Sequence, residues 1–133
     1  MRRIGALLVV AIGLGAGMAR AETLDALVKR EEGVEFGPCT LTPKPALAGD
    51  VHLVIPARFA TPGIWVTRTI LLVGIDGAKT VQGTLELMAA HDIPPRQVIS
   101  VTCKGGRIAV RLKGKTLTYA FDGKALRKAG GRK

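Results

Sequence analysis

The sequence predicts an α+β protein: a small antiparallel sheet of four to six strands with a C-terminal three-stranded meander, one or two short helices and one disulfide. Three observations support this prediction. Two glycine-containing turns between residues 98 and 121 place the apolar side chains of three consecutive strands on one face. Residues 64–75 are apolar on both faces of an extended chain, as in a central strand. The chain contains only two cysteines, Cys39 and Cys103.

The first 21 residues have the features of a secretory signal peptide. Two arginines precede an apolar run, and Ala19-Arg20-Ala21 fits an A-x-A cleavage site. The run is shorter than the roughly 20 residues of a membrane-spanning helix and is interrupted by glycines. We therefore expect a signal peptide over residues 1–21, a mature chain that begins at about Glu22, and a periplasmic or secreted location. The mature chain is predicted to be one globular domain (22–122) followed by a basic flexible tail (123–133).

The first element expected in the mature chain is a short amphipathic helix over residues 23–32. Its apolar side chains recur at helical spacing, and Gly33 follows where a C-cap residue is expected. Gly37-Pro38 then marks a turn that leads to Cys39. Two prolines within residues 40–49 argue against a central strand in that segment.

Residues 51–55 and 64–75 predict the next two strands. The first alternates between apolar and polar side chains and ends at a proline. The second is rich in β-branched residues and has the composition of a central strand with both faces buried. We expect the only tryptophan, Trp65, to anchor the core rather than to stack on a ligand, because it lies within this apolar run.

Residues 80–91 fit two structures. Residues 80–87 alternate like a strand that returns from a hairpin turn at Asp76-Gly77. With a helical period, the apolar side chains form a stripe that ends before Pro94-Pro95, and the Leu-Met-Ala-Ala run favours a helix. We adopt the helix because of that ending and keep the strand as the alternative. Gly83 weakens the helical interpretation.

The meander predicted for residues 98–121 follows from two turns. A turn at Gly105-Gly106 fixes the first register, because glycine accepts a positive φ at no steric cost. It gives the pairs Cys103–Ile108, Val101–Val110 and Ile99–Leu112. A turn at Gly114-Lys115 gives the pairs Leu112–Leu117, Val110–Tyr119 and Ile108–Phe121. All of these apolar side chains fall on one face, which we expect to be buried.

The even number of cysteines in an exported chain predicts a disulfide between Cys39 and Cys103. In the chain-entropy model, closing a loop of this length would stabilise the fold by about 4 kcal/mol. Two buried free thiols are the alternative. A redox-active pair is disfavoured, because the two cysteines lack C-x-x-C spacing.

The charge of the chain is unevenly distributed. From residue 96 to residue 133, eleven Lys and Arg side chains accompany one acid, Asp122, whereas residues 22–95 carry six basic and nine acidic side chains. The two parts therefore have net charges of +10 and −3. We expect the C-terminal part to attract polyanions or an anionic membrane surface.

No residue pattern indicates catalysis, so we expect a protein that is not an enzyme and has no catalytic residues. Ser100, the only serine, lies on a predicted strand without a nucleophile motif. Residues 104–107 fit a hairpin turn rather than a phosphate-binding loop. His52 and His91, the only histidines, are far apart in sequence and have no third ligand at metal-binding spacing. We expect neither a metal site nor a cofactor.

The polar face of the meander is the predicted binding surface. Its hydroxyl-bearing side chains are Ser100, Thr102, Thr116 and Thr118, and its basic side chains are Lys104, Arg107, Arg111 and Lys113. Such a mixture can bind phosphate or sulfate groups. The alternative is a solvated face that aids solubility and discourages edge pairing.

We therefore predict a small exported, non-enzymatic protein that binds acidic surfaces with this basic face. The ligand classes are lipid head groups, envelope polysaccharide and acidic protein, and they include peripheral contact with a membrane surface. The alternative function is a periplasmic protein–protein interaction module, such as an enzyme inhibitor. An enzyme or a metal-binding protein is a weaker alternative. Nucleic acid is not an expected partner, because export separates the chain from the cytoplasm and no aromatic side chain accompanies the basic face.

Overall fold

The structure is a computed structural model that describes residues 21–61 and 64–128, without the side chains of residues 58–61, 64 and 65. The expected signal peptide, apart from residue 21, lies outside the described residues, and so do residues 129–133 of the expected tail. The expected position of the Trp65 side chain in the core also lies outside the described part of the chain.

The described chain forms one α-helix, one 3-10 turn and nine β-strands. The helix, α1, spans Leu24–Arg30, and the 3-10 turn spans Pro95–Gln97. In chain order the strands are β1 (Val34–Pro38), β2 (Asp50–Ile55), β3 (Arg58–Thr61), β4 (Ile64–Ile75), β5 (Val81–Ile93), β6 (Val98–Lys104), β7 (Arg107–Leu112), β8 (Lys115–Phe121) and β9 (Leu126–Lys128). The strands form two antiparallel sheets rather than the single sheet of four to six strands that the sequence predicts.

The first sheet is organised around β4. β2 and β3 pair with successive parts of β4, β5 also pairs with β4, and β1 extends the sheet beyond β2. The side chains of Ile70 and Leu72 pack into one hydrophobic core, whereas those of Leu71 and Val73 pack into another. β4 is therefore buried on both faces, as its composition predicts.

The helix expected over residues 80–91 is wrong, and the strand alternative is correct. β5 pairs with β4 along most of its length. Its side chains alternate accordingly, since Leu87 and Ala89 are buried whereas Met88 and Ala90 are exposed. The backbone hydrogen bonds of this segment are satisfied by β4, a partner distant in sequence that the local helical period does not reveal.

The second sheet has the strand order β6-β7-β8-β9. The two-residue turn at Gly105-Gly106 has the expected register, with Cys103 opposite Ile108. β9 pairs with β8. Residues 126–128, which we expected in a flexible tail, therefore form a fourth strand of this sheet.

The second turn of the meander differs from the expected one. It is formed by Lys113-Gly114 rather than Gly114-Lys115, so Leu112 lies opposite Lys115. The register of β7 on β8 is consequently two residues away from the predicted register. Because side chains alternate with a period of two, this shift leaves each side chain of β8 on its predicted face.

β6 contains a bulge that the sequence does not indicate. Val98 lies opposite Leu112 and Ser100 lies opposite Arg111, so Ile99 has no partner on β7. The expected pair Ile99–Leu112 is therefore wrong. One extra residue in a strand interrupts the ladder locally and redirects its side chain, and Ile99 is exposed as a result.

The two sheets face each other across the larger hydrophobic core. Its members include Leu53, Ile70, Leu72 and Leu87 from the first sheet and Ile108, Val110, Leu117 and Tyr119 from the second. α1 covers the opposite face of the first sheet, where Leu24 and Leu27 are buried against β2 and β4. The chain thus has three layers, and the face of the second sheet turned away from the core carries no further layer of described residues.

The predicted disulfide is present. Cys39 and Cys103 are bonded, with their Cα atoms 5.1 Å apart. Cys39 follows β1 in the first sheet, whereas Cys103 lies in β6 of the second sheet. The bond therefore links the two sheets covalently.

Candidate anion-binding surface

The outer face of the second sheet is the face turned away from the core, and it carries most of the predicted basic residues. Along β7, Ile108 and Val110 are buried, whereas Arg107 and Arg111 are exposed. The alternation of side chains along a strand causes this separation. Pairing arranges the outer face in three cross-strand rows, namely Ser100–Arg111–Thr116, Thr102–Ala109–Thr118 and Lys104–Arg107–Ala120.

Lys104 and Arg107 form a first cluster of positive charge. They lie directly opposite each other at the β6–β7 turn. Arg127 on β9 extends their row, because it lies opposite Ala120. Neither Lys104 nor Arg107 forms an ion pair with another described residue. The acidic residue of this region, Asp122, instead pairs with Arg127, with 3.6 Å between Oδ2 of Asp122 and Nη2 of Arg127.

The carboxylate of Asp122 is engaged in the turn between β8 and β9. Its Oδ1 accepts hydrogen bonds from the backbone N–H groups of Lys124 and Ala125, both at 2.9 Å. These two bonds, with a smaller contribution from Arg127, hold the pKa of Asp122 below its usual value. Asp122 therefore stabilises the turn and does not neutralise Lys104 or Arg107.

Arg111, Lys113 and Lys115 form a second cluster at the opposite end of the sheet. With Thr116 and Ile99 they surround an open depression of about 440 Å³ at the β7–β8 turn. No acidic side chain of the described residues lines this depression. None of the three cations forms an ion pair with another described residue.

The two clusters are separated along β7. Since an extended strand rises about 3.3 Å per residue, Arg107 and Arg111 lie about 13 Å apart along the strand. The row between them consists of Thr102, Ala109 and Thr118, whose side chains are small. The outer face can therefore hold anionic groups at either end, and its hydroxyl groups can donate hydrogen bonds between them.

Another open depression, of about 600 Å³, lies beside the first sheet between α1, β1 and the 3-10 turn. Its lining includes acidic and basic side chains, among them Asp25, Lys29, Glu32 and Glu35. Because the two signs of charge are mixed there, this depression has no electrostatic preference comparable to that of the outer face.

The two histidines contact different partners. His52 Nδ1 lies 2.7 Å from Oε2 of Glu35, and His91 Nδ1 lies 3.3 Å from the hydroxyl oxygen of Tyr119. Among the described residues, no group of three His, Cys, Asp or Glu side chains is placed so that it could hold a metal ion. Each imidazole thus has a contact within the fold.

The four predicted basic residues do not form one continuous patch. Lys104 and Arg107 belong to the first cluster, whereas Arg111 and Lys113 belong to the second. Lys113 lies in the β7–β8 turn rather than on the strand face where we expected it. The structure therefore divides the predicted basic face into two separate cationic ends.

The prediction also missed two further cations, Arg127 in the row of the first cluster on the outer face and Lys115 at the β7–β8 turn beside this face. The sequence predicts Lys115 in a turn and Arg127 in the tail. A signal for the strand that carries Arg127 is present in the sequence, because Asp122-Gly123 is typical of a hairpin turn and is followed by the apolar Leu126. The position of Lys115 depends on the register of the second turn, for which the sequence offers two adjacent choices.

Comparisons with known proteins identify no relative. No family model matches this chain, no curated protein matches it, and no solved structure matches it. The geometry and the charge of the described residues are therefore the observations on which a function can be proposed.

Proposed function

We propose that this chain is a small exported binding protein, without enzymatic activity, that holds acidic macromolecular surfaces on the outer face of its second sheet. The pair formed by Lys104 and Arg107 is the observation that supports this proposal most. Two cations directly opposite each other on neighbouring strands repel, which lowers stability. An anion bound between them would remove this repulsion, so ligand binding explains a pair that folding alone disfavours.

The overall distribution of charge supports the same proposal. The part of the chain from residue 96 onward has a net charge of +10, whereas residues 22–95 have a net charge of −3. Such asymmetry orients a protein as it approaches an anionic surface and increases its rate of association. The outer face would therefore meet the ligand first.

Export is part of the proposal. Residues 1–21 have the pattern of a signal peptide. The disulfide between Cys39 and Cys103 is compatible with an oxidising compartment. None of the helices in the described chain has the length and apolar character needed to cross a membrane. Every described helix and strand lies between residues 24 and 128, so a chain that begins at Glu22 contains the whole described fold.

Retention of the chain from Glu22 on a heparin matrix tests the proposal, because heparin presents closely spaced sulfate groups. The double variant Arg107→Glu/Arg111→Glu reverses one cation in each cluster and should abolish retention. The control Lys29→Glu/Lys79→Glu changes the net charge equally on the side of the first sheet and should remain retained. Equal losses in the two variants would show that net charge, and not the outer face, causes retention, and would overturn the proposal.

The dependence on salt separates the proposal from the alternative interaction module. Attraction between the outer face and a polyanion should weaken steeply as the ionic strength rises to about 0.15 M, where the screening length is about 8 Å. A single envelope protein retained equally at low and physiological salt would instead favour a specific protein–protein interaction module.

A further inference from the structure

Ile99 is exposed at a position where simple alternation would bury it. The bulge in β6 leaves it without a partner on β7, and 57% of its surface is exposed. Among the described residues, Met88 is the only other large hydrophobic side chain exposed to this degree, at 59%. A bulge commonly redirects a side chain next to a functional site. The surroundings of Ile99 therefore decide whether its exposure has a function.

Those surroundings are strongly cationic. Ile99 borders the depression of about 440 Å³ whose other walls include Arg111, Lys113, Lys115 and Thr116. Arg111 lies between the hydroxyl-bearing residues Ser100 and Thr116 on the neighbouring strands. The exposed side chain of Ile99 thus lies, beside the buried Leu112, at the rim of a site built from three cations and flanking hydroxyl groups.

We propose that this depression binds the phosphate group of an anionic lipid, and that Ile99 inserts at the boundary between head groups and acyl chains. This inference rests on the proposed function and names the ligand class for one end of the outer face. The planar guanidinium of Arg111 can donate two parallel hydrogen bonds to a phosphate, and the hydroxyl group of Thr116 can donate a third. Lys113 and Lys115 add positive charge, which an anionic bilayer attracts.

Ile99 is the reason to infer a lipid rather than a polysaccharide. A soluble polyanion gains nothing from an exposed isoleucine, whereas a membrane interface removes that side chain from water. The β7–β8 turn also permits close approach. Apart from its two chain neighbours, Gly114 has no heavy atom within 4 Å of where a Cβ would lie, so the space beside the tip of the turn is open.

Sedimentation of the chain from Glu22 with vesicles tests this inference. We expect it to bind vesicles that mix phosphatidylglycerol with phosphatidylcholine and not vesicles of phosphatidylcholine alone. Ile99→Ser should weaken vesicle binding by about tenfold, which corresponds to the loss of one partly inserted side chain. The same variant should keep its retention on heparin. Met88→Ser is the matched control, because it removes an equally exposed apolar side chain from the first sheet, and it should bind vesicles like the unaltered chain.

The results distinguish failure of the lipid site from failure of the proposed function. Retention on heparin without binding to anionic vesicles would overturn the lipid site and leave the anion-binding outer face in place. Failure to bind either would overturn both. Vesicle binding that Ile99→Ser does not weaken would also overturn this inference, because the contact would then be electrostatic only. Water-soluble glycerol phosphate should compete weakly with the vesicles, since it offers the phosphate but no apolar phase for Ile99.

Discussion

Cys39 and Cys103 are bonded across the two sheets, and the segment that follows Cys39 is held by both sheets. The N–H group of Cys39 donates to the carbonyl oxygen of Val51 in β2 at 2.8 Å. Three residues later, the N–H group of Thr42 donates to the carbonyl oxygen of Gly105 at the β6–β7 turn, at 2.7 Å. The segment from Cys39 to Thr42 therefore fastens the first sheet to the turn that carries the first cationic cluster.

Removal of this disulfide should destabilise the whole fold. The bond closes a loop with a sequence separation of 64 residues. For the double variant Cys39→Ala/Cys103→Ala we expect a loss of about 4 kcal/mol in the free energy of unfolding, because the unfolded chain regains the freedom that the cross-link removes. Urea denaturation monitored by circular dichroism measures this change. A reductant should lower the unfolding midpoint of the unaltered chain and leave that of the variant unchanged. Equal midpoints for the two proteins without reductant would contradict the prediction.

The repulsion between Lys104 and Arg107 predicts a variant that is more stable but binds less. Lys104→Gln removes one of two directly opposed positive charges and should raise the free energy of unfolding by about 0.5 kcal/mol at low ionic strength. The same variant should elute earlier from heparin. Thermal unfolding at low salt and at about 1 M salt, where the screening length is about 3 Å, measures the electrostatic part.

The variant Lys79→Gln is the control for this experiment, because it removes a positive charge at the turn between β4 and β5. It should change neither stability nor elution as much as Lys104→Gln does. A gain in stability that persists at high salt would show that the effect of Lys104→Gln does not come from charge repulsion.

Local patterns were sufficient to predict which faces of β7 and β8 are buried in the second sheet. The two-residue turn at Gly105-Gly106 fixed the register of β6 on β7 near the turn, and the alternation of apolar residues then determined which face is buried. The predicted register of β8 on β7 differs from the observed register by two residues, because the prediction takes Gly114 as the first residue of the turn. In the structure Gly114 is the second turn residue and has a φ of 85°. The prediction of which β8 side chains face the core is nevertheless correct, because a shift of two residues leaves each side chain on the same face of the sheet.

Features that depend on distant partners could not be predicted in the same way. Residues 80–91 have a helical stripe and a strand alternation, and only pairing with β4 decides between them. The bulge at Ile99 also has no local signal, because an unbroken alternation of β6 was equally compatible with the sequence. The depression beside Ile99 therefore could not be inferred before the register of β6 on β7 was known.

Gly49 occupies a position that no other residue should tolerate well. Its φ is +81°, and a Cβ there would clash with the carbonyl oxygen of Ile75. Gly49→Ala should therefore destabilise the fold by more than about 2 kcal/mol, since the clash adds to the cost of a left-handed backbone. Gly37→Ala is the matched control, because Gly37 has a φ of +75° and no heavy atom within 4 Å of the added Cβ. Gly37→Ala should lower the free energy of unfolding by only about 1 to 2 kcal/mol. Equal losses in the two variants would show that the contact with Ile75 is relieved by a small backbone movement.

Tyr119 offers a direct measure of how well the core between the two sheets excludes water. It is the only tyrosine of the chain and it is fully buried. Burial raises its pKa to about 12, because the charged tyrosinate is poorly solvated in the core. In the unfolded chain we expect a pKa of about 10.

The shift in the pKa of Tyr119 predicts how stability depends on alkaline pH. Below about pH 10 the phenol is neutral in both the folded and the unfolded state, so its ionisation does not lower the free energy of unfolding. Between about pH 10 and pH 12 the unfolded chain loses the proton first, so the free energy of unfolding should fall with rising pH. The ultraviolet absorbance of tyrosinate reports this residue alone, and its midpoint should lie near pH 12 in the native protein and near pH 10 in denaturant. In Tyr119→Phe the difference in pH dependence from the unaltered chain isolates the contribution of this phenol from that of the lysines. A native midpoint near pH 10 would mean that water reaches Tyr119 and that the two sheets do not enclose a dry core.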